Sequence, residues 1–169
     1  MNKLDITLIY DYNYWANGRV LDAAARLNPE QLSAPAAGLS YGSVRGNLAH
    51  ILGAEWLWRM RCQQGQSPAS TPPESEYPTL EVLRARWAEE ERAMRAYLAG
   101  LDNDDMQRII RYHTTEGKPY RNPLGQLLLH VVNHGTQHRA EASVALTAYG
   151  QSPGALDLVV YLRQQPQQP

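Results

Sequence analysis

The chain has 169 residues, with 16 Lys and Arg against 17 Asp and Glu, for a formal net charge of −1. That length suits one domain able to bury a core without staples. The near-neutral balance offers no electrostatic footprint for nucleic acid, and no apolar run is long enough to make a membrane partner.

The opening stretch, MNKLDITLIYDYNYW, sets Asp5 and Asp11 among its apolar residues and lacks the continuous apolar run of a secretory signal. A cytoplasmic location is therefore expected. The first helix is predicted over residues 3–27, stopping before the turn signal Asn28-Pro29. It carries two stripes. Ile6, Tyr10, Val20 and Ala24 form one, with Asn13 and Asn17 on the same side, either lining a polar cavity or hydrogen-bonding inside the bundle. Leu4, Leu8, Tyr12 and Trp15 form the other, which needs either the chain's own loops or a second copy to cover it and is therefore a candidate homodimer surface.

Ser43 is the N-cap expected for a second helix running to about Gly65. Cys62, the single cysteine, falls within it and reads as a small buried hydrophobe. The Pro- and Ser-rich stretch QSPASTPPESEYP, residues 66–78, is a long loop. Thr79 caps a third helix ending near Gly100. Residues 107–113 favour a strand that Glu116-Gly117 can turn back, allowing a small hairpin. Asn122-Pro123, read as a cap followed by Pro at the first helical position, opens a fourth helix ending at Gly150. ALDLVVYL adds a short fifth helix. The fold expected is all-α: a four-helix bundle with a long crossover segment, forming one domain over residues 1–163, with 164–169 as a disordered tail.

The fourth helix contains LLLHVVNHGTQHRAEA, where His130, His134 and His138 recur every four residues. With His130 set at zero and about 100° per residue, His134 falls near 40° and His138 near 80°. The apolar residues Leu124, Leu127, Val131, Gly135, Ala142 and Ala145 cluster between about 60° and 140° on the same scale. His134 and His138 thus point together into the bundle, and His130 lies further towards solvent. Two inward imidazoles one turn apart can reach a single ion, and burying both without a metal or partners would cost free energy. Satisfied core histidines are the alternative. Zinc, nickel, iron and manganese all accept imidazole, and three protein ligands with one open position is a common catalytic arrangement. His50, midway along the second helix, is the best third candidate; His113 belongs to the hairpin region and should be exposed. In HVVNH the general base of a zincin would stand where Val131 stands, and the duplicated Glu-x-x-His pattern of di-metal bundles is missing.

YNYWANGRVL, SVRGNLAHILGAEWLW and LLLHVVNHGTQHRAEA, in this order and followed by PGALDLVVYL, resemble the DinB-like metalloprotein family, related to the YfiT-type thiol transferases. The resemblance implies a four-helix bundle, often dimeric, holding one divalent ion through three histidines, here His50, His134 and His138. Many relatives have Gly-Gln after the His-Arg pair, whereas Ala140-Glu141 follows His138-Arg139 here. Glu141 lies near 20° on the scale above, on the histidine side, at about 100° per residue. It is the candidate catalytic residue, acting on a water at the metal. It could instead orient a ligand imidazole, or form a surface salt bridge. Arg139 is expected to face outward or to pair with an acidic neighbour.

The resemblance implies an enzyme dependent on a divalent metal, of thiol S-transferase or hydrolase type, acting on a small molecule that for a transferase is a low-molecular-weight thiol. Two other classes compete: a non-catalytic, stress-associated metal- or ligand-binding dimer, and a plain helical interaction module.

Overall fold

A computed structural model describes residues 2–166. Four long helices, α1 (Lys3–Ala24), α3 (Val44–Arg59), α4 (Leu80–Ala99) and α5 (Leu124–Ala148), form a helical bundle, with short helices α2 (Pro29–Ser33) and α6 (Leu158–Gln164). One antiparallel hairpin, β1 (Ile109–His113) with β2 (Pro119–Pro123), lies between α4 and α5. The protein is therefore mostly α, as expected, and the hairpin forms. Among the described residues, no helix is long and apolar enough to cross a membrane.

Local chemistry explains most of the boundaries. Ser43 Oγ accepts from Gly46 N at 2.9 Å and Thr79 Oγ1 from Val82 N at 3.3 Å, so both expected caps satisfy a free N–H of the first turn. α3 widens into a π turn over Met60–Gln64, which Gly65 ends with a left-handed φ of 65°.

Three expectations need correction. Asn28-Pro29 is a start as well as a stop. Asn28 Oδ1 accepts from Gln31 N at 2.8 Å, and Gln31 Oε1 accepts from Asn28 N at 3.0 Å; this capping box opens α2, which the sequence reading missed. Consequently α1 ends at Ala24, before residue 27. At the other end, Asn122 does not cap α5. It pairs with Ile110 in the sheet and accepts from Tyr112 Oη at 3.0 Å, so the cap moves to Pro123.

Two apolar clusters fill the bundle. Ile6, Tyr10, Met94, Leu124 and Leu128 belong to one; Val20, Leu48, Ile51, Leu83 and Leu146 belong to the other. Buried polar residues lie near the junction of the clusters: Asn13 and Asn17 on α1, Glu55 on α3 and Arg139 on α5. A polar layer thus crosses the middle of the core. The second stripe of α1 divides. Tyr12 donates to Leu156 O at 2.8 Å and Trp15 to Gln164 Oε1 at 3.1 Å, so the chain's own C-terminal segment covers them. Leu4 and Leu8 are left exposed. Of the expected tail, Gln164 closes α6, and residues 167–169 lie outside the described residues.

Candidate metal centre

α3 and α5 pack more extensively than any other helix pair, and this contact brings the histidines together. Val44, Leu48, Ile51 and Leu52 bury one face of α3; Leu124, Leu128, Val131 and Ala142 do so on α5. His50 lies at the margin of the first face, and His134 and His138 at that of the second. One ring nitrogen from each of the three lies within 4.8 Å of the other two. His50 Nε2 and His134 Nε2 face each other at 3.0 Å. His138 is buried and His134 half-buried, whereas His130 is exposed, its ring 5.9 Å from that of His134 between centroids. The angular order read from the sequence is the order of burial. His113 is exposed.

A polar frame orients the third imidazole. Glu141 Oε2 lies 3.1 Å from His138 Nδ1. The same oxygen accepts from Asn47 Nδ2 at 3.0 Å and Ser40 N at 3.2 Å, and Oε1 accepts from Ser40 Oγ at 2.9 Å. Asn47 Nδ2 also reaches the backbone carbonyl of His138, at 3.1 Å. Burial pushes the Glu141 carboxyl up, but the hydrogen bonds from Asn47, Ser40 and His138 prevail and hold it near a pKa of about 2. An ionised carboxylate can only accept, so Nδ1 of His138 is the donor in this contact and Nε2 is the ring nitrogen left for another partner. Among the described residues no Lys or Arg pairs with Glu141; its partner is the buried His138.

Tyr41 closes one side. Its ring stacks on His50 at 3.6 Å between centroids and 15° between planes, and meets His138 edge-on at 5.5 Å. The loop carrying Tyr41 is tied down by its N–H, which donates to Asn47 Oδ1 at 3.2 Å. Gly46 permits this fold-back, because a Cβ there would run into the Tyr41 carbonyl oxygen. Burial, then repulsion by the other histidines, pushes the pKa of His50 and of His134 down to about 4, against a smaller opposite pull from Glu141. Both imidazoles are neutral at neutral pH. A cavity of about 520 Å³ opens beside them, its walls including Trp58, Arg61, Tyr112 and Thr71.

Behind the histidines lies the polar layer. Glu55 Oε1 accepts from Asn13 Nδ2 at 2.8 Å and Asn17 Nδ2 at 2.9 Å, and Oε2 accepts from Trp87 Nε1 at 3.0 Å. Both asparagine carbonyls accept from Arg139 Nη1, at 2.5 and 2.8 Å, so two carboxamides relay between a carboxylate and a guanidinium. Arg139 is only 1 % exposed. The expectation that it faces outward or pairs with an acid is wrong: the next helical position after His138 turns into the bundle, and the asparagines supply its acceptors. Those asparagines hydrogen-bond inside the bundle, the second of their two readings. Cys62 is buried, and burial pushes its thiol up to about 12, as suits a packing residue.

The donor set fits a borderline divalent cation: three imidazoles on two packed helices, one with its far nitrogen fixed by a carboxylate. The sequence reading named all three histidines and Glu141. It missed Ser40, Asn47, Tyr41 and Arg61. Asn47, three residues before His50 on one helix, carried a readable signal; the others depend on how a loop and a π turn fold back.

No curated protein matches the chain. A family model described as the DinB family matches residues 1–169, so the match extends over the entire sequence, and together with the three-histidine bundle it shows that the protein belongs to the DinB family.

Proposed function

We propose that His50, His134 and His138 hold one divalent ion, zinc, nickel, iron or manganese, in an enzyme acting on a small molecule. The observation that carries this reading is the convergence of three imidazole nitrogens within 4.8 Å, two of them on rings whose pKa is held near 4. Protons do not compete for those lone pairs at neutral pH. When bound, the ion supplies Lewis acidity, drawing down the pKa of a water or thiol or polarising a substrate group.

The chain's own residues do the rest. Glu141 positions His138; with three donors already on Oε2 and its pKa near 2, it is a poor general base. Tyr41 holds the His50 ring flat and shields one face of the site from water. The cavity beside His50 and His134 supports catalysis over a purely structural site, which needs no room for a substrate. Thiol S-transfer and hydrolysis both suit this arrangement. A cytoplasmic setting with a low-molecular-weight thiol completes the proposal, and the exposed Leu4 and Leu8 support a homodimer.

The test is turnover of the metal-loaded protein with a panel of such thiols and an electrophile, beside ester and amide substrates. Metal-dependent thiol transfer supports the transferase; metal-dependent hydrolysis with no thiol transfer assigns a hydrolase. Inactivity in both arms removes catalysis.

A further inference from the structure

Arg61 is 5 % exposed, yet no carboxylate pairs with it among the described residues. Its Nε is enclosed and has no hydrogen-bond acceptor. Burying a guanidinium without a counter-charge costs free energy that the surroundings must offset. Part of the offset is visible: the Arg61 Cζ lies 4.7 Å from the centre of the Trp58 ring and 5.3 Å from that of Tyr112. Ring faces attract the charge but leave a fork of N–H donors without oxygen acceptors. The same guanidinium forms part of the wall of the cavity that holds His50 and His134.

The helix explains the placement. His50, Ala54, Leu57, Trp58 and Arg61 all line that cavity, at spacings that keep them on one face of α3 as it passes into its π turn. Eleven residues at about 1.5 Å each put the Arg61 backbone about 16 Å along the axis from that of His50, and the side chain leans back towards the N-terminus. A small extended molecule can therefore touch both ends.

We propose that Arg61 is a substrate-anchoring residue, binding an oxyanion (carboxylate or phosphate) of a small molecule whose reacting end lies at the three histidines. The assignment of a reacting end rests on the metal-enzyme reading above; the anion site itself does not. Arginine presents a planar fork that matches carboxylate and phosphate oxygens in pairs, and the aromatic walls exclude the water that would weaken the contact.

The test is calorimetric titration of the purified full chain with benzoate, benzamide and inorganic phosphate, with the metal content of the same samples determined. Benzoate or phosphate should bind, with neutral benzamide about tenfold weaker or worse. Arg61→Met should lose about tenfold or more in anion affinity while keeping the wild-type metal content. Preference for benzoate assigns a carboxylate, and preference for phosphate a phosphoryl group. Should Arg61→Met fail to fold, Arg61→Gln carries the same expectation. Absence of anion binding by the wild type, or equal binding by the neutral variants, overturns the proposal and leaves Arg61 a stacked core residue. Anion binding through Arg61 in a protein that takes up no ion keeps the anchor and removes the metal reading; metal uptake with anion binding independent of Arg61 does the reverse.

Discussion

Glu141 and His138 sit three residues apart on one helix, with the carboxylate Oε2 3.1 Å from the imidazole Nδ1. That contact occupies Nδ1, and so leaves Nε2 as the nitrogen free to bind. The backbone N–H and hydroxyl of Ser40 and the carboxamide of Asn47 hold the carboxylate from the far side.

Glu141→Gln should therefore weaken metal binding without unfolding the bundle. Losing a carboxylate that orients a ligand imidazole lowers metal affinity by about 10- to 100-fold. Competition with a chromophoric chelator measures it. Unchanged affinity would show that His138 needs no such orientation.

Gly135, buried on α5 against the polar layer, is a second lever. A Cβ there would lie 2.8 Å from Arg139 Nη1 and 3.2 Å from Asn13 Oδ1. The guanidinium cannot swing away freely, since Nη1 is bonded to Asn13 and Asn17 and Nη2 to Thr136. Gly135→Ala should destabilise the fold by about 1–3 kcal/mol through overpacking, although Ala is worth about 1 kcal/mol over Gly in a helix interior. Denaturant unfolding decides the sign, and a net gain in stability would mean that the polar layer is looser than its distances imply.

Glu55 should make stability depend on pH. Burial pushes its carboxyl up to about 7 from an ordinary 4.5, against the opposing hydrogen bonds of Asn13, Asn17 and Trp87 and the charge of Arg139. Between those values the folded chain holds the proton more tightly than the unfolded chain. The stabilisation is fully present below pH 4.5 and is lost as pH rises through about 7. The unfolding free energy of chelator-treated protein, minus that of Glu55→Gln, should fall by about 3 kcal/mol between pH 4.5 and 8. Parallel curves for the two proteins would place the ionisation of Glu55 outside this range.

The sequence revealed the long helices and the histidines because both obey local rules. Ser43 and Thr79 cap as expected, and the four-residue spacing of His134 and His138 orients them through helical geometry alone. Features that need two segments to meet were harder to read. Asn122 looked like a cap until the hairpin claimed it, and Arg139 looked like a surface residue because its acceptors, Asn13 and Asn17, lie more than a hundred residues away. Tyr41 and Ser40 come from a loop whose path depends on a tight approach to Gly46. Glu141 was legible as a position on the histidine side of its helix; its partners were not.

The central claim is tested most directly by loading the protein with zinc or nickel by equilibrium dialysis and determining bound metal per chain by elemental analysis. One ion per chain is expected for the wild type and for His130→Ala, with sharp loss in His50→Ala, His134→Ala and His138→Ala. Absence of bound metal in the wild type, or a loss in His130→Ala equal to that in the other three, would contradict the account.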